Sequence, residues 1–164
     1  AAILSVRYNE TNITDRCLYD AYEKITIGLP VKEDTRSKDL LKMVSYHEIG
    51  HALIVGLFRE MFDLQKITIN SNKNGAGGYT LFTPKDEYNN FPTKRFMLAN
   101  MIVAMGGRAA EVIIYGGSFN KNKLNYNSKL VFPDINNLDI TTGASNDLKQ
   151  ANSIARKYGI AYIW

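Results

Sequence analysis

Cysteine occurs once in these 164 residues, at Cys17, and histidine twice, at His47 and His51. One cysteine excludes a disulfide framework and a thiolate metal cage, which leaves Cys17 as a single buried thiol. Long apolar runs are lacking too. Ala52 to Phe58 is short, and no stretch approaches the roughly 20 residues that a membrane span needs. No Gly-x-x-x-x-Gly-Lys-Ser/Thr loop is present, which excludes a P-loop nucleotide site in this chain. A net charge of +4 without a dense basic stripe argues against nucleic acid as a partner. No initiating Met or signal-like start is visible. The chain opens on Ala1-Ala2-Ile3-Leu4 and ends on Ile163-Trp164 with an apolar pattern still running, and both ends are expected to be cuts in a longer polypeptide. What is there is an ordinary globular composition, 45% hydrophobic, in a chain long enough to bury a core without disulfides.

Both histidines fall in one pentapeptide, His47-Glu48-Ile49-Gly50-His51. Imidazoles at i and i+4 lie about one turn apart on a helix, point the same way and can share a metal ion. Glu48 sits about 100° further round, within reach of water at that metal without being a ligand. The pattern reads as the helix of a zinc peptidase.

Apolar spacing predicts two short helices in the first thirty residues, carried by Ala2, Ile3 and Val6, then by Leu18, Ala21, Tyr22 and Ile25. Thr14 caps the second, Asp15 complements its dipole, and Gly28 and Pro30 end it. A charged linker, 31–36, marks a boundary. A long, largely buried helix is expected from Ser37 to Phe58, with Leu40, Leu41, Val44, Ala52, Val55 and Leu57 on its apolar face. Gly50 costs it about 1 kcal/mol of propensity and leaves room for another element to approach. Strands at Lys66–Ile69 and Tyr79–Phe82 flank an Asn- and Gly-rich turn, and Pro84 closes the hairpin. A second helix spans Thr93–Tyr115, with Gly106-Gly107 expected to pack on the metal-binding helix. The segment from Gly116 to Leu138, rich in Asn, Lys and Ser, reads as a solvated surface loop. A last helix begins near Ser145. The fold class is mainly α (α+β), with a small hairpin beside the metal-binding helix.

Catalytic zinc takes three protein ligands and keeps one position open. Position 57 is Leu57, so the extended motif with a third histidine is excluded and a carboxylate is needed. Cys17 or a tyrosine is less suitable, and Asp63, Asp86 and Asp139 have weaker claims. Glu111 lies on the helix expected to pack against the motif, and Asp147 lies in the first turn of the final helix. Glu111 also suits a partner that holds a histidine Nδ1–H, and Asp147 also suits a dipole-favouring first turn. Spacing leaves both open.

Several segments in order resemble the peptidase domain of the FtsH family of ATP-dependent, membrane-anchored zinc metalloproteases. Ala1-Ala2-Ile3-Leu4 and Ile13-Thr14 resemble the end of its AAA+ helical lid. Tyr46 to Leu53 resembles its zinc helix, with Ile49 where alanine is more usual. Gly77-Gly78-Tyr79-Thr80 resembles its hairpin, Gly106 to Glu111 its second helix, and Thr142 to Leu148 its third-ligand segment. The resemblance covers nearly the whole chain. It implies residues 1–30 as the end of the lid and 31–164 as the peptidase domain, truncated at its C-terminus and carrying an inserted loop at 118–139.

The resemblance further implies His47, His51 and Asp147 as zinc ligands, Glu111 behind them, and Glu48 as the general base. It implies one Zn²⁺ per chain, ATP acting only through an AAA+ module outside this chain, and a homo- or hetero-hexamer. Unfolded or misfolded proteins are the implied substrates and a membrane the location. Biased Asn and Lys usage favours an organellar membrane, mitochondrial or plastid. Substrate is expected to add as a strand along Ile67, Thr68, Ile69, Gly77 and Gly78. The rival readings are an inactive assembly module of a hexameric protease, and a zinc aminopeptidase using Glu111 as third ligand.

Overall fold

The computed structural model describes residues 1–29, 31, 33–73, 75–115 and 142–162. The inserted segment 118–139, Asp139 with it, and the helix-ending role expected of Pro30 lie outside the described residues. In chain order the elements are α1 (Ala2–Arg7), α2 (Asp15–Thr26), α3 (Lys38–Leu57), β1 (Phe62–Thr68), β2 (Tyr79–Pro84), α4 (Asp86–Asn90), α5 (Lys94–Tyr115) and α6 (Ser145–Tyr162), with a 3₁₀ turn at Thr142–Ala144 leading into α6. The mainly helical class with one small sheet is as expected.

Side-chain caps set the helix starts. The Thr14 hydroxyl accepts from the Cys17 amide, Ser37 from Leu40 at 3.2 Å, and Thr93 from Phe96 at 3.2 Å. Gly28, at φ 110°, turns the chain out of α2. β1 and β2 pair antiparallel, Phe62 opposite Pro84 and Thr68 opposite Tyr79, with a bulge between Leu64 and Lys66. The hairpin therefore starts four residues earlier than its alternation suggests, because Phe62 is buried as a core residue. α4 was not legible as a helix.

The core gathers Val55, Met61, Phe62, Phe96, Ala99 and Val103, with Ile54, Phe58, Phe82 and Tyr88 packed around it. Phe96 stacks on Phe62 at 5.2 Å and on Tyr88 at 5.5 Å between ring centroids. The burial of α3 differs from expectation. Its buried residues are Glu48, Gly50, His51, Ala52 and Val55, whereas Leu40 is exposed and Leu57 is 73% exposed. The stripe 48-51-52-55 follows the helical period and packs on α5, while Leu57 lies about 200° from Val55. Ala52 and Val55 are buried as expected and Leu41 and Val44 are half-buried, while Glu48, Gly50 and His51 complete the contact face in place of Leu40 and Leu57.

A second expectation is corrected by α5. At 22 residues, with an 18-residue stretch of mean hydropathy 1.5, it is long and apolar enough to cross a membrane by length and composition. Phe96, Ala99, Val103, Ala104, Gly106, Gly107 and Glu111 are buried within the fold, whereas Leu98, Ile102, Ile113 and Ile114 are exposed. α5 lies between α3 and α6. A Cβ at Gly50 would fall 2.4 Å from the Gly106 carbonyl oxygen, and one at Gly106 would fall 2.7 Å from that of Gly50. The two backbones touch, as the placement of these glycines predicted.

Two polar clusters tie the N-terminal segment to the hairpin. Glu23 accepts from Lys66 and, at 2.6 Å, from the Tyr79 hydroxyl. Burial and the Glu23 carboxylate push the Tyr79 phenol up to about 12. Arg36, paired with Asp34, donates to the Gly77 carbonyl at 2.5 Å and the Ile69 carbonyl at 2.6 Å, clamping the base of the loop that joins the two strands.

Candidate active site

α3, α5 and α6 bring the motif and its partners together. The Nε2 atoms of His47 and His51 lie 3.1 Å apart, and Asp147 Oδ2 lies 3.1 Å from the first and 3.3 Å from the second. The opposite ring nitrogens are occupied. His51 Nδ1 donates to the Val103 carbonyl at 2.8 Å, and His47 Nδ1 donates to the Glu111 carboxylate at 2.8 Å. A carbonyl and a carboxylate accept, so each Nδ1 carries a proton, and in the neutral imidazole each Nε2 presents a lone pair to the cluster.

Asp147 Oδ2 is buried and, among the described residues, receives no hydrogen bond of adequate geometry, although two imidazoles lie so close. Three acceptors converging without a proton between them repel one another, and a divalent cation removes that repulsion. Donors around tetrahedral zinc, bound at about 2.0–2.1 Å, lie about 3.3–3.4 Å from each other. The observed separations match that arrangement closely, and His47, His51 and Asp147 form a three-residue cluster able to hold a metal. Glu111 stands on the far side of the His47 ring, with Arg108 3.4 Å from its other oxygen.

Electrostatics follow from this packing. Burial alone would lower the His47 pKa, but the Asp147 and Glu111 carboxylates outweigh it and raise it. Burial would raise Asp147, and the two imidazoles instead hold it below the usual carboxylate range. Glu48, 6% exposed, has its pKa raised by burial against the opposing pull of Thr80, His47 and His51.

A cavity of about 420 Å³ opens over the cluster, lined by His47, Glu48, His51 and Asp147 together with Gly75–Thr80, Phe82 and the apolar Leu40, Met43 and Val44. Of the five residues expected to carry substrate, Gly77 and Gly78 line it and Ile67, Thr68 and Ile69 do not. Both strands contact α3, and Gly78, just before β2, comes close to it here because it has no side chain. A Cβ there would fall 2.8 Å from Val44 Cγ1 and 3.1 Å from Glu48 Cγ. The Ile69 and Gly77 carbonyls are moreover taken by Arg36.

Three features escaped the sequence. Gly107 sits under both imidazoles, where a Cβ would fall 2.5 Å from His47 Nε2 and His51 Nε2. The glycine pair was legible as a helix contact but not as the floor of the cluster. Val103 serves through its carbonyl, which no residue-type pattern marks. The Thr80 hydroxyl reaches Glu48 across 32 positions, a separation that no local pattern spans.

The model of peptidase family M41 matches residues 34–122, which hold both histidines, Glu48 and Glu111. The chain belongs to peptidase family M41. Similar proteins described as "ATP-dependent zinc metalloprotease FtsH" occur in Mycoplasma genitalium, 40% identical over 95% of this chain and 19% of the relative. Those of Synechococcus sp., 36% identical over 95% and 21%, and Chloroflexus aggregans, 35% identical over 98% and 22%, carry the same description. This M41 chain spans about a fifth of the length of the curated relatives it matches. Asp147 lies beyond the M41 family match, so its place in the cluster rests on the geometry.

Proposed function

We propose that this chain is the zinc-dependent endopeptidase unit of an ATP-dependent protease, with His47, His51 and Asp147 as the metal ligands and Glu48 as the general base. The carrying observation is the convergence of His47 Nε2, His51 Nε2 and the unsatisfied Asp147 Oδ2 within 3.3 Å of one another. Zinc held there supplies a Lewis acid that polarises a peptide carbonyl and acidifies water. Glu48 takes the proton of the attacking water and delivers it to the leaving amine. Glu111 and the Val103 carbonyl hold the two Nδ1–H groups, fixing ring orientation and keeping Nε2 basic. The apolar wall of Leu40, Met43, Val44 and Phe82 favours an apolar substrate side chain beside the reacting bond.

The position of Glu111 on Nδ1, away from the cluster, supports Asp147 as the ligand over the aminopeptidase reading. Retention of Glu48 with both histidines speaks against an inactive assembly module. The relatives' description supports ATP dependence and protein substrates, with the ATPase outside this chain. We further assign residues 1–30 to the end of an AAA+ lid and 31–164 to the peptidase unit, a division supported by the family match starting at 34. Hexamer formation and membrane attachment through other segments complete the proposal. Relatives in Mycoplasma genitalium and Chloroflexus aggregans lend no support to the organellar membrane expected from composition.

Metal analysis of the purified protein is expected to find one zinc per chain. Glu111→Ala should weaken zinc about 10–100-fold, the usual cost of losing a group that orients a ligand, and Asp147→Ala should weaken it more. Zinc retained in Asp147→Ala but lost in Glu111→Ala would overturn the ligand assignment. Gly107→Ala presses a methyl into both imidazoles and should cost about 10–100-fold in zinc affinity by chelator competition. Unchanged affinity there would show that the rings have room to retreat.

A further inference from the structure

β2 meets the motif helix at one side chain. Thr80 Oγ1 lies 2.9 Å from Glu48 Oε2 and also 2.9 Å from the main-chain oxygen of Glu48. We propose that Thr80 is a positioning residue that holds the Glu48 carboxylate in its working rotamer, an inference that rests on Glu48 acting as the general base.

Glu48 carries its carboxylate at the end of three rotatable bonds, and its burial removes the water that would otherwise solvate it. A hydrogen bond to one oxygen selects a rotamer and directs the other oxygen. The hydroxyl that makes this bond is itself well placed. Thr80 is β-branched, so its χ1 is stiff. Its neighbours hold the strand at that height: Gly78 lets β2 close on α3, and Tyr79, pointing to the other face of the strand, is anchored by Glu23 at 2.6 Å.

The Thr80 hydroxyl serves Glu48 in both of its protonation states. A hydroxyl has one proton to donate and two lone pairs. When Glu48 is ionised, Thr80 donates to Oε2. When Glu48 carries the proton taken from water, that proton sits on Oε1, the oxygen that faces the water, and Thr80 still donates to Oε2. The side chain is hydrogen-bonded in both states and the Thr80 proton never leaves Thr80. Valine has the shape of threonine without this capacity, and serine has the capacity without the methyl.

The test uses the whole protein in which this chain occurs, with ATP and a fluorogenic peptide, comparing Thr80→Val, Thr80→Ser and Glu48→Gln. Thr80→Val is expected to lower kcat about 10–100-fold, the scale of a bond to a charged group, with KM within about twofold. Zinc content and melting temperature should be unchanged. Thr80→Ser should recover kcat to within about fivefold. Thr80→Ala carries the same expectation as Thr80→Val if the valine variant folds poorly. Cleavage lost in Glu48→Gln but kept in both hydroxyl-free variants would overturn the role of Thr80 while leaving the site intact. A serine variant as impaired as valine would do the same. Cleavage kept in Glu48→Gln would overturn the proposed mechanism and this inference with it.

Discussion

Glu48→Gln is expected to lower peptide cleavage about 10²–10⁴-fold, the contribution of a positioned general base, with zinc content and unfolding temperature retained. The amide matches the carboxylate in size and can still accept from Thr80, so the packing around α3 is preserved. What it cannot do is take a proton. Glu48 is 6% exposed, so no solvent molecule replaces it easily. His47, His51 and Asp147 are untouched by the change, and this separates chemistry from metal binding. Cleavage that survives in a variant with full zinc content would sink the mechanism.

Gly50→Ala is expected to destabilise the fold by about 3 kcal/mol, at or above the usual range for overpacking a core. Two effects compete. Alanine gains about 1 kcal/mol of helix propensity over glycine. Its methyl, however, would sit 2.4 Å from the Gly106 carbonyl oxygen and 2.7 Å from Ala110 Cβ. The first of those neighbours is backbone, so relief requires α3 and α5 to separate, and with them His51 from Val103. Steric cost wins. Gly56 on the same helix is the control, since a Cβ there meets nothing within 4 Å. Gly56→Ala should stabilise by up to about 1 kcal/mol. Denaturant unfolding of both variants checks the pair, and equal effects at the two positions would contradict a backbone contact between α3 and α5.

The local features of the molecule were legible because local physics decides them. Thr14 and Ser37 cap their helices because a hydroxyl at that position meets a bare amide. Ser145 begins α6, as expected. The burial of α3 was legible at Ala52 and Val55 but not at Leu40 and Leu57, because periodicity locates an apolar stripe, whereas α5 packs on the face where Gly50 permits the closest approach. Alternation marked Lys66 to Ile69 as strand, but the close approach of Gly78 to Val44 was not legible, because no local pattern records which side chains meet across elements.

By itself the sequence determined that one helix offers two imidazoles and a carboxylate, that no third histidine exists, and that a glycine pair waits on another helix. These follow from spacing along a chain with a 3.6-residue period. Only the tertiary structure brought Asp147 within 3.3 Å of both Nε2 atoms and set Glu111 on Nδ1. It also laid Thr80 against Glu48. Those contacts join residues 32 to 100 positions apart, and the packing of α3, α5, α6 and β2 decides them, since no local preference acts over such distances.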